Sequence, residues 1–145
     1  MGILGFNFLK MNAERLSAPV GKIQISNNAS IKDITEAEFN FGPKSKQSGI
    51  RFTFQFTSQY SPNIATIELA GELLYSADAK KCKDILSAWK KKEKLSQDVL
   101  TEVLNLIMMR CNVEALLLSK ELNLPPPIQL PRITESQHET KDYIG

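Results

Sequence analysis

Few residues in this chain are of a kind that makes or breaks bonds. The only imidazole is His138, beyond a proline cluster and surrounded by polar residues. A Ser or Cys nucleophile needs a positioned base, so a Ser-His or Cys-His site is not expected. Cys82 and Cys111 sit inside apolar helical patterns and match no zinc spacing, which reads as two reduced, buried thiols rather than ligands or a disulfide. No glycine-rich phosphate loop of either common type occurs, and Glu68 with Glu72 reads as charge on a sheet surface rather than a catalytic pair. The expectation is a protein that is not an enzyme and needs no cofactor and no metal.

Binding chemistry is better represented. Lys80, Lys81, Lys83, Lys90, Lys91, Lys92 and Lys94 crowd one short segment. Their plain reading is the solvated face and last turn of a helix; a contact with an acidic partner, through Lys90, Lys91 and Lys92, is the functional one. Leu124, Pro126, Ile128 and Leu130 alternate through a stretch that also holds Pro125, Pro127 and Pro131. An extended arm without helix or strand has few ways to bury alternating apolar side chains except against a groove. The expected groove for extended peptides therefore combines Leu124, Pro126, Ile128 and Leu130 with the apolar residues Phe8, Met11 and Trp89.

The elements that must hold these residues are read from periodicity. Ile50–Thr57 alternates apolar and polar residues, and Ile67, Leu69, Gly71, Leu73 and Tyr75 repeat the period of two. Ser58–Asn63 between them supplies turn residues, so an antiparallel hairpin is predicted. Upstream, Phe6–Arg15, Val20–Ser26 and Ala29–Phe39 read as weaker extended segments. Leu4, Phe6 and Phe8 share one face and Leu9, Met11 and Ala13 the other, which predicts a bulge near Leu9. Residues 41–49 are polar and read as a loop.

After Tyr75 the period becomes 3.6. Ala79, Cys82, Ile85, Leu86 and Trp89 form one stripe, predicting a helix from Ala77 to Lys92 capped by Ser76. A second helix, capped by Ser96 and running to Leu122, carries Val99, Leu100, Val103, Leu104, Ile107, Cys111, Leu117 and Leu118. It is apolar over so much of its circumference that it must pack on the sheet and on another subunit. Leu124-Pro125 is read as the stop, because proline disfavours helix in the residue before it. The arm then runs to Ile133, and residues 134–145 read as a mobile tail.

Bulk properties agree with one domain. The 145 residues give one core by size, 42% hydrophobic and 23% charged residues suit a globular chain, and a formal charge of +2 does not favour nucleic acid. Neither a secretory leader, a myristoylation signal nor an apolar run long enough for membrane insertion is read, so a cytoplasmic location is expected.

Taken in order, the layout resembles the export chaperone SecB: short strands with a crossover, a long hairpin, a short helix, a long helix, then a proline-bearing apolar arm. Phe6-Asn7-Phe8-Leu9 stands where that family opens its first strand, Gly71–Tyr75 at its strand-to-helix join, and Leu122–Pro131 where the long helix gives way to the arm. The similarity spans Phe6 to Ile133. It departs from the proteobacterial pattern in having a single Gly71 and a positive net charge, and is nearer to divergent SecB-like proteins, among them archaeal forms and chaperones that guard antitoxins. The resemblance implies an α+β fold with a four-stranded antiparallel sheet, a short and a long C-terminal helix and a Pro-rich extended arm, in one domain over residues 1–133. It also implies an ATP-independent chaperone, a holdase for unfolded or extended polypeptides in protein transport or related work, assembled as a homotetramer (a dimer of dimers). The alternative is a non-enzymatic interaction protein that recognises one partner, such as an antitoxin.

Overall fold

The computed structural model describes residues 2–40 and 46–131. Its four strands and two helices run in the order β1 (Gly2–Arg15), β2 (Gln24–Asn40), β3 (Lys46–Ser61), β4 (Ala65–Ser76), α1 (Ala79–Lys90) and α2 (Gln97–Glu121). All strand pairs are antiparallel, in the spatial order β1-β4-β3-β2, so the β1–β2 connection crosses over and leaves β1 and β2 as the two edges.

The predicted hairpin is the centre of the sheet. Phe52 faces Leu73, Phe54 faces Gly71 and Phe56 faces Leu69 across β3 and β4. One face of β3 is fully buried from Ile50 through Phe52, Phe54, Phe56 and Ser58 to Tyr60. The other face is polar and carries the ion pairs Lys10–Glu68, at 3.5 Å, and Arg51–Glu72, at 3.1 Å. A period-two pattern with one apolar side thus produces a sheet that is covered on one face only.

Three boundaries differ from expectation, each for a local reason. The two segments read within Val20–Phe39 merge into one 17-residue strand, because pairing with β3 continues from Gln24↔Ser61 to Asn40↔Lys46. That same pairing draws Lys46–Gly49 out of the predicted loop and into β3, whereas residues 41–45 lie outside the described set. Ser76 does not cap α1, since it is still paired with Gly2 and Gly49 in the sheet; Asp78 does, its carboxylate accepting from the Lys81 N–H at 2.7 Å. Ser96 occupies the cap position of α2 without a side-chain hydrogen bond.

The predicted bulge is present. In β1 the register shifts between Phe8 and Lys10, so Phe6 and Phe8 before it, and Met11 and Ala13 after it, stand opposite the inward-facing Leu73, Gly71, Leu69 and Ile67 of β4. Leu9, the inserted residue, is 68% exposed. A second shift between Ile3 and Gly5 separates Leu4 from the Phe6–Phe8 face, and Leu4 is exposed. Phe6 stacks on Phe54 at 4.9 Å between centroids and meets Phe8 edge-on at 5.1 Å, with the Arg110 guanidinium 4.8 Å above the Phe6 ring.

Gly71 makes this aromatic cluster possible. A Cβ there would lie 2.8 Å from Phe54 Cζ and overlap the Asn7 carbonyl oxygen, a backbone atom that cannot swing away. Gly71→Ala is therefore expected to lose about 1–3 kcal/mol as an overpacked variant. That is a fall in Tm of several degrees, to be measured by calorimetry against an exposed control such as Ala79→Gly.

Helix α2 covers the sheet by a line of Val99, Val103, Ile107, Cys111, Ala115 and Ser119, all buried. Each four-residue step turns about 40° beyond a full circle, so this line winds around the helix axis as it tracks a twisted sheet. Half-buried flanks such as Leu106, Met108 and Leu118 result on both sides. Leu117, one of the apolar residues recurring at helical spacing, is 51% exposed. The winding line reaches Ala115 and Ser119 there, and these small residues leave room for Tyr60 and Leu124.

Candidate functional site

The site begins where α2 stops. Its C-cap is Leu122, and Asn123 takes the left-handed conformation at φ 55°. The Asn123 N–H donates to the Lys120 carbonyl at 3.2 Å and the Leu124 N–H to the Ser119 carbonyl at 2.9 Å. This six-to-one closure turns the chain back and drives Leu124 into the core, where it is 7% exposed. Termination thus comes from the Asn123 turn ahead of the prolines, whose part is to keep the arm extended. Arg15, at the end of β1, adds a hydrogen bond from Nη1 to the Leu122 carbonyl at 3.2 Å.

The arm is then fastened by its carbonyls. Tyr60 Oη donates to the Pro125 oxygen at 2.7 Å and Asn27 Nδ2 to the Pro127 oxygen at 2.7 Å. Ser58 Oγ holds the Asn27 amide by donating to Oδ1 at 2.6 Å. Three successive prolines suit this arrangement because they present acceptors and no N–H that would need a partner. Pro127 is buried, Ile128 half-buried, and Pro126 and Leu130 exposed.

Between the last two turns of α2 and the arm lies a groove of about 480 Å³, walled by Leu116, Leu117, Leu124, Pro126 and Leu130, with Lys120 and Asn123 among its polar residues. Leu117 and Leu130 are about half exposed, at 51% and 48%, so the walls are apolar and open to solvent. Such a surface can hold apolar side chains of an extended ligand.

Of the residues proposed for one groove, the structure brings together Leu124, Pro126 and Leu130. Ile128 stands beside them in the arm but does not line the cavity. Phe8 belongs to the aromatic cluster on β1, and Met11 is 47% exposed further along that strand. Trp89 is elsewhere: its indole N–H donates to Asp33 Oδ1 at 3.3 Å, and it lines a separate cavity of about 730 Å³ with Ile34, Lys90, Lys92 and Glu93. The single groove expected from Phe8, Met11 and Trp89 with the arm is thus divided, because Trp89 of α1 meets β2 at Asp33 and Ile34 while the arm attaches nearer the start of that strand, at Asn27, and at Ser58 and Tyr60 beside it. His138, Ile133 and the tail lie outside the described residues.

Sequence reading missed Tyr60, Ser58 and Asn27, which anchor the arm, and Leu116, which lines the groove. The parity of β3 held a signal for two of them, since Ser58 and Tyr60 continue the inward series of Phe52, Phe54 and Phe56. Asn27 carries no such mark; it is identified by standing opposite Ser58.

Burial raises the pKa of the Tyr60 phenol above its ordinary value of 10.0, against a smaller lowering by Ser119. Burial pushes the Cys111 thiol from 9.0 to about 12, against a lowering by Arg110. Both groups are acids kept neutral in the fold, so the unfolded chain releases these protons first. The stability they contribute is intact below about pH 9 and falls as pH rises toward 12, by up to ~1.4 kcal/mol per pH unit for each proton. Urea midpoints measured from pH 7.5 to 11 are expected to decline above pH 9, and Cys111→Ala is expected to flatten the pH 9–10 part of that decline.

Comparison with solved structures comes down to the fold. The chain superimposes on a SecB-like chaperone of Mycobacterium tuberculosis, solved in complex with a peptide from the HigA1 antitoxin, with a TM-score of 0.51 over 91% of this chain and 86% of that one. The fold is SecB-like. Sequence identity over that match is 13%, so the likeness extends to architecture and not to side chains. No protein-family model and no curated sequence matches the chain. Among the described residues, no helix is long and apolar enough to cross a membrane.

Proposed function

We propose that this chain is a non-enzymatic, ATP-independent holdase that keeps unfolded or extended polypeptides from aggregating by receiving their apolar segments in the groove beside the proline arm. The observation that carries the reading is that groove: apolar walls, half-exposed Leu117 and Leu130, and an arm fastened by Tyr60 and Asn27 at the Pro125 and Pro127 carbonyls. A SecB-like fold supports it, as does the peptide bound by the Mycobacterium tuberculosis neighbour.

The same reading includes self-association as a dimer of dimers. Met109 and Val113, one turn apart, form an exposed apolar ridge on α2, and Leu4, Leu9 and Met11 line the β1 edge. Apolar residues in such rows, on a helix and on a sheet edge, favour burial by another copy. Two buried, unpaired cysteines suit a reducing cytoplasmic setting.

A second reading, recognition of one specific antitoxin-type partner, is favoured by the antitoxin peptide on the structural neighbour. Breadth separates the two. Light scattering of several unrelated proteins diluted from denaturant, with no nucleotide present, is expected to show suppression at near-stoichiometric chaperone. Absence of suppression for all of them, alongside tight binding of one partner, would replace the first reading by the second.

A further inference from the structure

Helix α1 turns its apolar stripe inward, with Cys82 and Ile85 buried and Leu86, Ala88 and Trp89 half-buried. At about 100° per residue, Lys80, Lys83, Ser87, Lys90 and Lys91 fall together on the opposite side, and all five are exposed. Lys92 does not join them. It sits in the left-handed position that closes the helix, at φ 56°, its N–H on the Trp89 carbonyl, and it lines the Trp89 cavity instead.

Among the described residues, none of these lysines has a carboxylate within ion-pair distance; the two ion pairs present are on the far face of the sheet. Between residues 78 and 94 seven lysines stand against Asp78, Asp84 and Glu93, a local excess of +4 on a chain whose total is +2. The excess exceeds what a helix terminus uses, since dipole compensation acts only within the last turn and Lys80, Lys81 and Lys83 lie in the first half of the helix. The lysines also frame a shallow depression of about 580 Å³ floored by Leu86 and Ser87 and bordered by Asp84.

We propose that this outward face of α1 is a docking surface for an acidic stretch of an extended polypeptide, a second contact for clients whose apolar part lies in the groove. The proposal rests on the polypeptide-binding reading above. Charge complementarity selects the occupant: an unpaired cationic face attracts acidic side chains and gains no internal neutralisation without them. The mixed floor selects a polypeptide over a nucleic acid. A uniformly charged phosphate backbone would meet the Asp84 carboxylate, whereas an extended peptide alternates its side chains and can set an apolar one on Leu86 between acids on Lys83 and Lys90.

Three probes test it by fluorescence anisotropy at 50 and 300 mM NaCl: two labelled peptides with one apolar core, flanked by Asp and Glu or by Gln, and a single-stranded oligonucleotide. The wild-type chain is expected to hold the acidic-flanked peptide about tenfold tighter than the Gln-flanked one at low salt, an advantage that shrinks at high salt. The variant Lys83→Gln/Lys90→Gln/Lys91→Gln is expected to lose that advantage and keep its affinity for the Gln-flanked peptide, which also reports an intact fold. Equal affinity of the wild type for both peptides would overturn the proposal and leave the groove reading standing. Binding of neither peptide would overturn both. Oligonucleotide binding that the triple variant abolishes, with no preference for the acidic peptide, would overturn it in favour of a nucleic-acid surface.

Discussion

Leu124→Ala is expected to cost about 2–5 kcal/mol of stability, whereas the double variant Ile128→Ala/Leu130→Ala is expected to leave folding nearly intact and weaken polypeptide binding. The two outcomes separate because one arm has two environments. Leu124 is 7% exposed and belongs to the core cluster, so its truncation leaves a cavity under α2. Leu130 is 48% exposed at the rim of the groove and Ile128 is half-buried, so their removal forfeits little transfer energy. Urea denaturation and peptide titration, run on both variants, check the division. A double variant that unfolds together with its loss of binding would make the distal arm packing rather than a binding surface.

The second large effect concerns assembly. Val113→Asp is expected to reduce the proposed oligomer to a smaller species while α2 stays folded, because Val113 lies on the exposed Met109–Val113 ridge, 53% accessible in the single chain. A carboxylate there costs little in the free chain and several kcal/mol in an interface that leaves it unpaired. Analytical ultracentrifugation with far-UV circular dichroism decides it. An unchanged sedimentation coefficient in a helical variant would remove this ridge from the interface.

Much of the fold is legible because period-two and period-3.6 patterns act locally. Phe52, Phe54 and Phe56 alternate with polar residues because one face of β3 is covered and the other is wet. The face switch at Leu9 is likewise written in β1, where a bulge is the simplest way to keep Phe6, Phe8, Met11 and Ala13 on one side. The proline arm and its apolar residues stand out by composition, and three of its four proposed residues do line the groove.

The surroundings of the arm are not legible, since partners distant in sequence are chosen by register and not by local pattern. Trp89 suits the groove by its type, but the packing of α1 on β2 gives its indole N–H to Asp33. Asn27, a polar residue among polar residues, becomes an anchor of the arm only because β2 pairs it with Ser58, which directs its amide at Pro127, 100 residues away. Leu117 shows the same division within one helix: its apolar character is local, but its exposure is set by the line of contact with a twisted sheet. The sequence by itself determined the strands, the helices, the bulge and the extended arm, because these answer to backbone propensity and side-chain periodicity. Only the tertiary structure decided which apolar residues are core and which are left open as a groove, because that depends on where elements remote in the chain come to rest.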